Sequence, residues 1–219
     1  MRRNRPKGGG VWIAALATAA AALLLAVAAA SAGRPPGPRG VADRAVGNEH
    51  LAGQLLVATS EMGDPRFFHA VIYMVQHDAG GAMGLVVNRP VAIVSLTRLL
   101  ADVGVDTTGV TGTIRVRFGG PVDLARGAVL HTAEYSTKET LHVTSTMSLT
   151  WEPEILRAIA SGSGPRRSLF ALGYAGWGPG QLEAEIAAGA WITVPADEEL
   201  VFGENDAGKW EQAVSKRII

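Results

Sequence analysis

"AVIYMVQHDAGGAMGLVVNRP", residues 70–90, places two short apolar runs on either side of a glycine-bearing turn. The first run, 70–77, is rich in β-branched and aromatic residues. The second ends at Pro90, whose ring removes a backbone donor and stops a strand. Two such runs joined by so short a turn predict a β-hairpin. A hairpin pairs its strands antiparallel, and that decides the class. Strands and helices along this chain alternate without regular βαβ spacing, so the expected fold is α+β with a mixed sheet, not a doubly wound parallel one.

The same texture extends outward from the hairpin. "GQLLVAT" (53–59) reads as a strand closed by the "SEMGDP" turn. After Pro90, Ser95 is placed to cap a helix whose Leu96, Leu99, Leu100 and Val103 share one face, with Gly104 at its end. "TIRVRF" (113–118) alternates and reads as a half-buried strand with Arg115 and Arg117 outward. "GAVLH" (127–131) and "LHVT" (141–144) read as strands, and 151–162 as a helix with Pro153 in its first turn. A strand over 167–174, a short helix over 180–189, a strand over 190–195 and a last helix over 209–218 complete the domain. The expectation is one domain, 51–219, with a mixed, mostly hairpin-built β-sheet flanked by helices.

The chain before it is of another kind. Residues 1–10 are basic and then glycine-rich, and residues 11–32 carry no charge. About 20 helical residues at ~1.5 Å each cross a hydrocarbon core of ~30 Å. The segment therefore reads as a transmembrane helix or a signal peptide, with Ala30-Ser31-Ala32 offering a cleavage site. Residues 33–50, rich in Pro and Gly, read as a linker. Basic residues ahead of the span hold the N-terminus in the cytoplasm and place the domain outside it. Secretion after cleavage near Ala32, or a cytoplasmic domain behind an over-extended start site, are the alternatives.

Charge narrows the partners. Arg2, Arg3, Arg5 and Lys7 are the only charged residues before Gly33, so of 20 basic and 20 acidic residues the remainder keeps 16 basic against 20 acidic. A mildly acidic domain is repelled on average by a nucleic-acid backbone, and no nucleic-acid partner is expected. The chain has no cysteine, which excludes disulfides, thiol nucleophiles and cysteine-type metal sites.

No catalytic constellation emerges. The five histidines lack the i, i+4 spacing of a helical metal site, no serine sits in G-x-S-x-G, and no cofactor or metal is expected. The glycines of "ALGYAGWGPGQLEAEI" (171–186) read as a strand-to-helix corner, which can present backbone N–H groups to an anion. They lack P-loop and dinucleotide-fold spacing, so the corner reads as architecture first and a possible site second. Gly119-Gly120-Pro121 reads the same way. Glu183 and Glu185 diverge on their helix, and Gln181 with Glu185 reads as an exposed face. His77, before Asp78, is either an oriented base or a surface residue, and Asn88 either caps a turn or binds a ligand.

Three separated stretches, "DPRFFHAVIYMVQHDAGGAMGLVVNRP", "FGGPVDLARGAVLHT" and "ALGYAGWGPGQLEAEIAAGAWITVPAD", followed by a tryptophan-containing last helix, closely resemble the YqgE/AlgH family of bacterial proteins. The resemblance runs from about Gly53 to Val214. It implies an α+β domain and no established enzyme activity. Two departures stand out: an added apolar segment ahead of a domain that is cytosolic in the family, and the family's C-terminal tail missing after Ile219. The family has no agreed catalytic residues to carry over. His77, Asn88, Gly119, Gly120, Trp177 and Gly178 are therefore the candidate ligand-binding positions. The expected function is a membrane-tethered, non-enzymatic binding or regulatory domain with a protein or small-molecule partner. An enzyme using the glycine corners for a small anionic substrate is the alternative, and a direct DNA-binding regulator is less favoured.

Overall fold

Strands β1 (Gln54–Ala58), β2 (Val71–Asp78) and β3 (Gly81–Val86) form an antiparallel meander within a ten-stranded sheet. These elements come from a computed structural model that describes residues 51–216. The expected hairpin is β2–β3: Asp78 pairs with Gly81, and the Asp78 carboxylate accepts the Gly80 N–H at 2.7 Å to close the turn. The expectations for residues 11–32 lie outside the described residues. Among those described, no helix is long and apolar enough to cross a membrane.

β1 and β2 are apolar without alternation because both sheet faces are covered. Leu55, Val57, Val71 and Tyr73 pack on one face beneath helices α4 (Glu198–Phe202) and α5 (Lys209–Ser215). Leu56, Ala58, Ile72 and Met74 pack on the other with Leu182 of helix α3 (Gln181–Ala187). A third cluster joins α1 (Leu96–Asp102) and α2 (Glu154–Ala160) over Val116, Val129 and Phe170. The Ser95 hydroxyl caps α1 as expected, accepting the Arg98 N–H.

The remaining strands are β4 (Pro90–Ser95), β5 (Thr113–Phe118), β6 (Val122–Thr132), β7 (Leu141–His142), β8 (Met147–Thr150), β9 (Ser168–Trp177) and β10 (Trp191–Pro195). Their main ladder runs β10-β1-β2-β3-β9-β6-β8-β7, with β4 and β5 as a side branch. All pairings are antiparallel except β5 with β9, so the sheet is mixed. Pro90 does not end β3, which stops at Val86; it begins β4. β4 pairs only with β5, and an edge strand tolerates a residue that cannot donate.

The glycine corner also differs from the expected strand-turn-helix. β9 continues through Gly173 and Gly176 to Trp177, leaving only residues 178–180 as the turn, with Gly180 left-handed at φ 73°. Gly173 is a strand glycine because residues 119–121 of the same chain cross β9 there. β5 lies along one edge of β9 and β6 along the other, so Gly119-Gly120-Pro121 must step over it. A Cβ on Gly119 or Gly120 would overlap the backbone of β9, and a Cβ on Gly173 would press on the Gly120 carbonyl oxygen. Gly119-Gly120 and Gly173 are the two halves of one crossing.

Candidate functional site

Three of the six candidate residues meet at α3. His77 and Trp177 flank Ala82, paired with it from β2 and β9 respectively. The His77 Nδ1 accepts the Leu51 amide N–H at 3.3 Å. The proton must therefore sit on Nε2, which donates to Glu183 Oε1 at 2.9 Å. The Glu183 carboxyl is held below its ordinary value, first by its own backbone N–H and next by His77. The Gly178 N–H donates to the side chain of Gln181 at 3.1 Å.

One turn further along α3, Glu185 Oε2 accepts the indole N–H of Trp177 at 2.9 Å and of Trp191 at 2.8 Å, while Oε1 accepts from Gln181. The Gln181–Glu185 face is thus a clamp tying α3 to β9 and β10, not a bare solvated side. Both tryptophans are buried. Glu185→Ala leaves two indole donors without an acceptor, each costing ~1–3 kcal/mol. We expect a loss of about 2–3 kcal/mol in a urea titration; a loss under ~0.5 kcal/mol would show that water replaces the carboxylate freely.

The other candidates stand elsewhere. Asn88 accepts the Val71 N–H at 3.0 Å and donates to the His69 carbonyl at 2.8 Å. It thereby holds His69 at φ 56°, its ring stacked between Phe68 and Trp210. Gly119 and Gly120 belong to the crossing. His131, buried at the opposite end of β9 from Trp177, spends its ring on the Thr132 carbonyl and the Thr150 hydroxyl. It does not converge with the glycines.

An arrangement not anticipated lies under the β4–β5 pair. Alternation puts Arg115 and Arg117 on one face, as expected, but the 204–208 loop covers that face and only 5% of Arg117 is exposed. Asp206 Oδ1 receives Arg117 at 3.0 Å and Lys209 at 3.2 Å, and Oδ2 receives Arg115 at 3.3 Å. Lys209, 1% exposed, also donates to the carbonyls of Val87 at 3.1 Å and Val201 at 2.9 Å. The sequence carried one signal of this: Lys209 stands four residues before the fully buried Ala213, on the inward stripe of α5.

Burial pulls the Lys209 ammonium down to about 8 from its ordinary 10.5, helped by Arg117 and opposed by Asp206. Burial pushes the Tyr73 phenol from 10.0 up to about 12. The signs are opposite. Between pH 8 and 10.5 the folded chain has released the Lys209 proton while the unfolded chain keeps it, so stability rises with pH. Above pH 10 the unfolded chain loses the Tyr73 proton first, so stability falls. A neutral amine still has two N–H groups for the Val87 and Val201 carbonyls. The urea midpoint should climb from pH 8 to about 10 and then drop. Lys209→Met should flatten the climb and Tyr73→Phe the drop; an unchanged profile in both variants would refute the assignment.

Beside this cluster, a groove of about 510 Å³ is lined by Pro90 to Ile93, Arg115 and residues 204–207. Val91 and Ile93 project from β4 with 46% and 67% of their surface exposed, making two of the four large exposed apolar side chains among the described residues. No group of three or more potential metal ligands occurs among the described residues.

Residues 55–218 match the family model described as AlgH-like, DUF179. A UPF0301 protein of Rhodospirillum rubrum is 47% identical over 167 residues, 76% of this chain and 87% of the relative. One from Afipia carboxidovorans is 42% identical over 193 residues, 84% and 92% of the respective chains. The solution structure of the AlgH protein from Pseudomonas aeruginosa matches with a TM-score of 0.66 at 36% identity, covering 80% of this chain and 92% of that one. A crystal structure of a Corynebacterium diphtheriae protein shares the fold, with a TM-score of 0.62 at 20% identity.

Proposed function

The chain belongs to the AlgH-like DUF179 family, and from that premise we propose that it is a non-enzymatic binding domain whose recognition surface is the β4 edge and its groove. We propose further that residues 11–32 tether it to a membrane with the domain outside the cytoplasm. The observation that carries the binding reading is the state of His77. A histidine held by a carboxylate on one nitrogen acts as a base only when its other nitrogen can take a proton. Here that nitrogen accepts the Leu51 amide, so the pair holds the start of the domain to α3. The polar atoms of Asn88 and Trp177 are likewise bonded internally. The glycines serve the crossing and the turn. In contrast, Val91 and Ile93 leave apolar surface in water beside a groove, a pattern of interaction sites.

The test is photo-crosslinking in the native host, with the full chain carrying a photoreactive side chain at position 93 and, separately, at Leu141 on β7. A discrete protein adduct from position 93 and none from 141 supports the reading; no adduct from 93 overturns it. A C-terminal reporter active only outside the cytoplasm should be active, and the chain should fractionate with membranes. An inactive reporter would refute the tethered, exported arrangement and leave the binding surface intact.

A further inference from the structure

We propose that the occupant of the β4 edge is a second copy of this chain, joined as an antiparallel β4–β4′ pair about a two-fold axis at Ile93. This inference rests on the reading of the β4 groove as a recognition surface.

Three strands end the sheet's ladders: β10, β7 and β4. β7 has two residues. β10 exposes only Thr193 and Pro195, a small polar side chain and a residue without an N–H. β4 differs from both. It has six residues, "PVAIVS", with no charge among them. Its alternate side chains Val91 and Ile93 face water while Ala92 and Val94 pack toward the α1–α2 cluster. Soluble proteins protect such an edge with lysines, bulges or covering loops. Pro90 and a bulge at Val91 break the start of β4; beyond them, residues 92–95 carry none of these on the outer side among the described residues. An unprotected edge of this length is suited to strand addition.

The patch also satisfies the condition that a two-fold interface imposes, because the same surface must fit itself. Antiparallel pairing centred on Ile93 sets Ile93 against Ile93′ and Ala92 against Val94′, with the bulged Val91 beside them. The exposed apolar side chains of the two copies then meet on one face, and the charge-free strands approach without repulsion. At the margins the groove carries Arg115 on one wall and Glu204 and Asp206 on the other, charges of both signs. A single-sign patch would repel its own copy; this one does not. The buried Asp206 group braces the wall, since Arg115 also donates to the Glu204 carbonyl. Docking therefore needs no rearrangement of the domain.

The chain has no cysteine of its own, which gives a direct test. In an antiparallel pair, opposed Cα atoms lie ~4.5–5.5 Å apart, within the ~4.4–6.8 Å that a disulfide spans. Full chain bearing Ile93→Cys, purified in mild detergent and oxidised, should shift from the monomer to the disulfide-linked dimer, and Leu141→Cys should not. Without any cysteine, the native chain should run at dimer mass in light scattering. Ile93→Lys, at a site 67% exposed, should run as a monomer with an unchanged urea midpoint. A dimer that persists in Ile93→Lys places self-association elsewhere and overturns the proposal. So does a monomeric native chain with no Ile93→Cys dimer. A photo-adduct from position 93 to a different protein, with the purified chain monomeric, overturns the second-copy assignment while leaving the binding reading in place.

Discussion

Asp206→Ala is expected to lower the unfolding free energy of the domain by about 3–5 kcal/mol, the range for removing one partner of a buried ion pair. Three cations converge on this one carboxylate, and two of them, Arg117 and Lys209, are themselves buried. Intact, the group gains little over an apolar core of the same shape, because three charges have left water to form it. Broken, it leaves cations in a place water does not reach. The penalty should therefore depend on pH. With Asp206 gone, Lys209 loses the group that opposes its depressed pKa and becomes neutral more readily, so the loss should shrink above about pH 8. Asp206→Ala combined with Lys209→Met should recover part of it, a coupling that two independent sites would not show. Urea titrations followed by tryptophan fluorescence measure both. A loss under ~1 kcal/mol at pH 7 would mean that water enters the cluster and that the 204–208 wall is not braced as described. The same variant should weaken dimerisation, since Asp206 anchors one wall of the groove.

The features that could be read from sequence are those decided within a few residues. The β2–β3 hairpin followed from two apolar runs and a glycine turn, and Ser95 identified itself as the cap of α1. What was not legible was decided by distant partners. β4 was not read because Pro90 looks like a stop, and only pairing with β5, more than a helix away, makes it a strand. β8 and the five-residue α4 are too short for a periodic signal. Alternation placed Arg115 and Arg117 on one face of β5, yet which faces are covered depends on a loop 89 residues on. The site behaved alike. His77 drew notice, but its partner Glu183 lies 106 residues away. Glu185 looked like solvated helix until both tryptophans were in place. Gly173 and Gly176 posed the opposite problem: a local reading put them in a turn with Gly178 and Gly180, yet they lie in strand β9, where residues 119–121 cross at Gly173.

Gly120→Ala is the sharpest test of that crossing, and of whether its glycines serve a ligand or the fold. At φ 149° Gly120 occupies backbone space that L side chains rarely enter, and an added Cβ would overlap the backbone of Tyr174 and Ala175. Backbone in a paired strand cannot swing aside as a long side chain can, so relief requires parting β5 or β6 from β9. We expect a loss above about 4 kcal/mol, a size reserved for such mechanisms and close to the whole stability of a marginal domain. The chain should be degraded or insoluble. Gly104→Ala isolates the backbone contribution, since Gly104 has φ 75° and nothing within 4 Å of the added carbon; it should cost only ~1–2 kcal/mol. Gly63→Ala, at ordinary φ with nothing within 4 Å, should be neutral or stabilising by ~0.4–1 kcal/mol. The comparison separates two meanings of a glycine motif. Were Gly120 kept bare so that an anion could approach its N–H, the alanine variant would fold with a near-native urea midpoint and lose only binding. If it is bare because one chain must cross another there, the alanine variant never reaches the state in which binding can be measured. A folded Gly120→Ala protein would return the glycines to the list of ligand sites.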